Sequence, residues 1–385
     1  MKKTIGSLTV ETSHERFAGC VPAVFLVLFS LTGFLFSSCA TQAAAQAEEY
    51  FSIGMAYYEM GKYADAEKWL NRASAADRTM SASDYNLGRI AFETGRYEEA
   101  ARRFERILVK DPNNVMALKA AAYSRIKNGD LELAEALYNR VLALVPDSAD
   151  DGFNYALVLY SLKKYDNCEE TLNKYPYALE QNQASLLLLA RAQKAQNKVE
   201  AVDTYAKWMT VNTGTANPQG IYEYAQVLEN ASLYARALEQ YKAAIAAITQ
   251  DTDTLKKCNV RFEEARLLLT ADPDNSDGLS ELNTAVTEGF ADTQALQALL
   301  DDERITQANR DQIKTILGNV QDALNNAQTA AAAAATTAST DTTTDTTATT
   351  DTTNTDNNPA PTDQQSGDQP PDTQGNTGDT TQSNN

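Results

Sequence analysis

Apolar and small residues return along this chain at helical spacing, in stretches broken by short polar turns. Residues 94–104, TGRYEEAARRF, nearly copy residues 60–70, MGKYADAEKWL, and the two lie 34 residues apart. Stepping by 34 from Tyr63 reaches Tyr97, Leu131, Tyr165 and Val199, and a step of 35 then reaches Tyr234. Three residues after the first four of these come Ala66, Ala100, Ala134 and Cys168. Nine before them come Gly54, Gly88, Ala122 and Ala156. Small side chains at both places let two successive helices approach closely. A large apolar residue follows each second small position by four: Leu70, Phe104, Tyr138 and Leu172. Asp-Pro-Asn-Asn at 111–114 and Val-Pro-Asp-Ser at 145–148 close two of the units, because proline cannot continue a helix interior. A fixed period of paired helices predicts an all-α solenoid.

Repeat two carries Leu87-Gly88, Gly95, Tyr97, Ala100, Phe104 and Pro112. That pattern resembles the tetratricopeptide repeat (TPR) family, whose fold is a solenoid of helix-turn-helix units. The units fall at roughly 47–80, 81–114, 115–148, 149–182, 183–216 and 218–251, about six repeats over 47–251. In the fifth, Ala190 fits the first small position, and either Ala201 or Val202 fits the second. Past 251 the match decays into degenerate repeat and capping helices, 252–326. Helices are expected near 254–270 and 276–288, with Asp272-Pro273-Asp274-Asn275 as the turn between them. Residues 302–326 place Ile305, Ile313, Ile316, Leu317, Val320 and Leu324 on one face, as a capping helix requires, since a terminal repeat has no neighbour to cover it.

The two ends carry other signals. Lys2, Lys3 and Arg16 precede an apolar run from Val21 to Phe36, which stops at Ser37-Ser38-Cys39-Ala40. A basic start, a short apolar core and small residues before a break predict a secretion signal over 1–38. The cysteine after Ser-Ser resembles a bacterial lipobox, which implies lipidation of Cys39. An uncleaved anchor and soluble export are the other readings, although 16 apolar residues are short of the ~20 that span a bilayer. Residues 39–46 would be a short tether; at ~3.5 Å per residue it reaches roughly 25 Å, seating the solenoid against a membrane. From 327 to 385 Thr, Asp, Asn, Gln, Ala and Pro dominate, without aromatic, Leu, Ile, Lys or Arg residues. Such a segment buries too little to offset its chain entropy and is expected to be disordered. Its eight aspartates supply eight of the 19 net negative charges.

Composition narrows the chemistry. His14, the sole histidine, lies in the signal, so a processed chain has no imidazole to activate a nucleophile or ligate a metal. No nucleophile triad, P-loop or dinucleotide turn is present. Of four cysteines, Cys20 lies in the signal, Cys39 is the lipidation candidate, and Cys168 and Cys258, nearly three units apart, are expected to be core thiols. Residues 272–278, DPDNSDG, fail as a calcium loop: aligning Gly278 puts Pro273 and Thr284 where two key ligands belong. Net charge −19 disfavours nucleic acid, and Arg102, Arg103 and Arg106 are interleaved with Glu98, Glu99 and Glu105. No catalytic residue, cofactor or metal is expected.

What remains is the solenoid surface. The resemblance implies a concave groove lined by the fifth, ninth and twelfth positions of each first helix. On this chain they are Phe51, Met55 and Tyr58; Tyr85, Arg89 and Phe92; Lys119, Tyr123 and Ile126; Phe153, Leu157 and Tyr160; and, in the sixth repeat, Tyr222, Gln226 and Glu229. The first four repeats thus offer seven aromatics, three aliphatics, one Arg and one Lys; ordinary repeat packing also favours Tyr at such positions. Asn86, Arg89 and Lys119 are a partial echo of the clamp with which some TPRs hold a terminal carboxylate. The resemblance implies a non-enzymatic protein-protein scaffold at the bacterial cell envelope, with an envelope protein or peptide segment as partner. The lipid would hold it to a membrane, the outer one facing the periplasm, as Ala40 suggests. The alternative is a periplasmic binding protein for a hydrophobic small molecule or lipid, partnering a transporter.

Overall fold

The computed structural model describes residues 42–211, 217–272 and 276–340, with side chains to residue 332. His14, Cys20, Cys39, Pro273 and the tail from 341 lie outside the described residues. The rest falls into two compact units divided after Asp151.

In the first unit, α1 (42–59) pairs with α2 (Tyr63–Ala76), α3 (Ser81–Glu93) with α4 (Tyr97–Lys110), and α5 (Val115–Asn128) with α6 (Leu131–Leu144). The helix pairs follow the 34-residue pattern. Ala66, Ala100 and Ala134 are fully buried, as are Leu70, Phe104 and Tyr138 four residues on. Close approach explains Gly88: a Cβ there would stand 2.8 Å from two ring carbons of Phe104. Each pair is joined through one left-handed residue, seven places after the first small position: Gly61 at φ 69°, Gly95 at 75° and Gly129 at 88°. Only glycine adopts that conformation without steric cost. α1 already begins at 42, so residues 42–46, expected as an extended tether, are helical and rise only ~1.5 Å each.

α7 (Ala149–Ser161) begins at the division, and the second unit continues with α8 (Tyr165–Asn173), α9 (Pro176–Gln181), α10 (Gln183–Ala195), α11 (Ala201–Val211), α12 (Pro218–Asn230), α13 (Tyr234–Ala247), α14 (Lys257–Ala271), α15 (Asp277–Thr287), α16 (Thr293–Asp301) and α17 (Gln307–Thr340). The left-handed residue persists but is no longer glycine: Lys163, Asn197 and Ser232 hold φ of 59°, 54° and 59°. α8 is short because Pro176 follows it. The residue before a proline is pushed out of the helical region, and Tyr175 sits at φ −120°, ψ 62°, so the chain restarts as α9 with proline in its first turn.

The fifth repeat's register resolves to Ala201. The amides of Ala201 and Val202 bond the carbonyls of Lys198 and Val199, three residues back. This tighter opening turn carries the chain into α11 one residue early. Ala201, Tyr205 and Trp208 then enter the core, while Val199, on the 34-residue ladder, is 76% exposed. Cys168 and Cys258 are buried and free, in separate apolar clusters. Ile305, Ile313, Ile316, Leu317 and Val320 close over Phe262, Leu269, Leu282 and Phe290. The last member of the expected capping face does not join them: Leu324 is 38% exposed. α17 also runs past 326 to Thr340, through six consecutive alanines at 330–335, the strongest helix formers.

Candidate functional site

The site is built from the first helix of each repeat. In the first unit Phe51, Met55, Tyr58, Tyr85, Arg89, Phe92, Lys119, Tyr123 and Ile126 are all half-buried: none is sealed in the core and none stands free. Phe51, Met55 and Tyr58 rest on a core of Ala66, Leu70, Leu87 and Ile90. Tyr85 meets Phe104 edge-on at 5.2 Å, and Phe92 meets Tyr97 the same way.

Across neighbouring repeats a rule emerges: the twelfth position of one first helix faces the ninth of the next. The Arg89 guanidinium lies 4.8 Å over the Tyr58 ring, and Phe92 stacks on Tyr123 at 5.2 Å and 29°. Each such contact is worth about 0.5–1.5 kcal/mol beyond the area it buries. Lys127 adds its ammonium 5.4 Å from the Tyr123 ring. The three side chains that echo the carboxylate clamp are otherwise engaged. Asn86 is buried and donates to the Ala82 carbonyl. Lys119 is paired with Asp151 at 2.8 Å, and Arg89 stacks on Tyr58. The first unit thus presents an aromatic face whose cations are already committed. Arg125, buried on α5, is held by Glu98, Glu105 and Asp130, an ionic clasp between repeats two and three.

In the second unit Phe153 and Tyr160 are half-buried and Leu157 is 39% exposed. Burial pushes the Tyr160 phenol above its ordinary value. Tyr160 also packs against Tyr165 at 5.4 Å. The same rule holds with different chemistry. Lys194 on α10 donates to the Gln226 side-chain carbonyl on α12 at 2.6 Å. Arg266 on α14 binds Glu229 at 2.5 Å and Glu263 at 2.7 Å, and Glu229 also accepts from the buried Tyr241 hydroxyl at 2.8 Å. Beside Gln226, burial raises the Tyr222 phenol to about 12. The α10 residues of this row, Arg191 and Lys194, are absent from the sequence reading, which left the fifth repeat's register open. Asn197 was the available signal, since it stands seven residues after Ala190, as each turn glycine stands after its own small position.

Among the described residues no group of His, Cys, Asp and Glu could hold a metal, and no helix is long and apolar enough to cross a membrane. Thr284, tested against a calcium loop, lies on α15 with its hydroxyl on the Ser280 carbonyl. A recess of about 530 Å³ on α4 is lined by Glu99, Arg102, Arg103, Glu105, Arg106 and Val109, none of them a groove position.

The family model "Tetratricopeptide repeat" matches residues 51–115, 85–149 and 119–182. An uncharacterized lipoprotein of Treponema pallidum (strain Nichols) is 24% identical over 162 residues, 42% of this chain and 83% of that protein. Among solved structures, a tetratricopeptide repeat protein from Parabacteroides merdae is 18% identical and covers 66% of this chain and 98% of its own, with a TM-score of 0.47. YrrB, described as a TPR protein with an unusual peptide-binding site, is 16% identical and covers 51% of this chain and 98% of its own, with a TM-score of 0.44. The repeats that the family model matches are the helix pairs of α1 to α8, and residues 51–182 are built of tetratricopeptide repeats.

Proposed function

We propose that this protein is a non-enzymatic scaffold that presents the aromatic row of its first unit to a protein or peptide partner. One observation carries the reading: nine side chains from three successive first helices, five of them aromatic, are held half-exposed instead of being buried, with Arg89 stacked on Tyr58 and Phe92 on Tyr123 across the repeat seams. Such rings offer large contact area at low entropic cost, which is why they recur at binding hot spots. Because Lys119 and Arg89 already have partners, the expected ligand is apolar and aromatic rather than acidic. The lined recess on α4 is charged, which favours a protein partner over a hydrophobic small molecule. The anchor is Cys39, a reading supported by the lipobox-like Ser37-Ser38-Cys39-Ala40 and by the similarity to a lipoprotein, and Ala40 favours the outer membrane facing the periplasm.

Crosslinking in membranes followed by capture tests the row. A Tyr85→Ala, Tyr123→Ala double variant should lose its stoichiometric partner and keep its helical circular dichroism. Loss of one hot-spot aromatic costs about 2 kcal/mol, roughly a 30-fold weakening. A partner retained by the double variant sinks the assignment. Cys39→Ala should move the protein from the detergent to the aqueous phase, and unchanged membrane retention would point to an uncleaved anchor.

A further inference from the structure

The first unit has two edges, one made by the turns inside each helix pair and one by the loops between repeats. Tyr50 of α1 meets Trp69 of α2, and Tyr58 meets Tyr63, both at 5.6 Å, so the two helices run antiparallel and the first turn of α1 lies beside the end of α2. The chain therefore enters at the loop edge, with the loops 77–80, 111–114 and 145–148. That edge is continuous. The Lys110 ammonium donates to the Arg78 carbonyl and the Arg140 guanidinium to the Pro112 carbonyl, each tying a loop to the second helix of the next repeat. Val109, Met116 and Leu144 stand out from it, 83%, 49% and 39% exposed. Exposure alone decides nothing, since Met60 and Leu133 are 56% and 50% exposed at the opposite edge. The entry of the chain decides. α1 already begins at residue 42, and three residues span at most ~10 Å, so a lipid on Cys39 holds the loop edge, not the turn edge, against the bilayer. Asp77, Asp111 and Asp147 share the loop edge with Arg78, Lys110 and Arg140, so neither sign dominates and a zwitterionic headgroup layer suits it.

We propose that the loop edge of the first unit rests on the lipid headgroups of the membrane, with Val109, Met116 and Leu144 seated among them and the helices standing along the membrane normal. The contact rests on the lipidation of Cys39 and adds to it the face that the membrane covers. Helix rise then sets Tyr85, Arg89 and Phe92 roughly 6, 12 and 17 Å along α3 from its loop end. The aromatic row is thereby held within reach of protein segments that leave the same membrane.

The test uses the processed full chain in phosphatidylcholine vesicles, a fraction of whose lipid carries a nitroxide on the headgroup. Val109→Cys and Leu133→Cys variants are each labelled with bimane, while Cys168 and Cys258 are buried and stay unlabelled in the folded chain. Leu133 sits on α6 where Glu99 sits on α4, ten residues short of Val109, so the two labels differ in height by roughly 15 Å. In the vesicle-bound chain the Val109 label should be quenched severalfold more than the Leu133 label and shielded from aqueous iodide. Flotation of the vesicles reports the anchor independently. A chain that floats with both labels quenched alike, or with neither quenched, keeps the anchor and overturns the edge contact. A chain that stays in the aqueous fraction overturns the anchor and the contact with it.

Discussion

Glu264 is the side chain whose titration should be visible in the stability of the second unit. It sits on α14 with 2% of its surface exposed. Burial, then the Glu281 carboxylate on α15, raise its pKa from 4.5 to about 7. Lys242 of α13 and Arg261 of α14 pull it back, but Arg261 is already shared between Glu281 and Glu288. Because the folded pKa lies above the unfolded one, the native state holds a proton that the unfolded chain releases. The contribution is whole below pH 4.5 and is lost as pH rises through about 7. At 1.36 kcal/mol per unit, the loss across that window is about 3 kcal/mol. Glu264→Gln keeps the shape and removes the titration, so its stability should be flat where the parent's falls, and the variant should be the more stable chain at pH 8. Urea denaturation at pH 5, 6, 7 and 8, followed by Trp208 fluorescence in a Trp69→Phe background, reports on this unit, because Trp208 is fully buried within it. Parallel profiles for parent and variant over that range would refute the assignment of the titration to Glu264.

Two packing predictions follow from the repeat geometry. Ala100 is fully buried between α3 and α4, so Ala100→Leu should overpack that contact by about 1–3 kcal/mol and lower the first unit's melting temperature; a normal melt would mean the helices are not in this register. Ser232, at φ 59°, holds the left-handed turn before α13, and Ser232→Gly should relieve steric strain of about 1 kcal/mol, partly offset by glycine's extra freedom when unfolded. A small rise in the denaturation midpoint is expected, and a fall would show that the serine hydroxyl matters more than the backbone.

The sequence exposes repeats one to four because small and large residues recur there at a constant spacing and glycine marks each left-handed turn. The fifth was obscured by one residue saved in the tight turn into α11 and by Asn197 in glycine's place. α9 follows from Pro176, a local cue that repeat counting passes over, and α16 from the Asp292 cap, whose carboxylate accepts from the Gln294 and Ala295 amides. Which residues occupy the groove positions was legible from spacing alone. Which of them are already paired was not: Lys119 with Asp151 and Arg89 with Tyr58 depend on side chains 32 and 31 residues away, which only the packed repeats bring together.

The pairing of twelfth and ninth positions places the chemistry of this surface at the seams, so that each helix pair holds only half of two neighbouring contacts. Loss of a whole repeat therefore deletes two seams and writes a new one. Removing residues 81–114 would bring Tyr58 to Tyr123, ring to ring, and the face would keep its character. Removing the fifth repeat would instead set Tyr160 against Gln226 and erase the lysine along with its amide contact. Unequal exchange during descent can thus lengthen or shorten the aromatic half almost silently, whereas in the charged half every gain or loss of a repeat rewrites what the surface can hold.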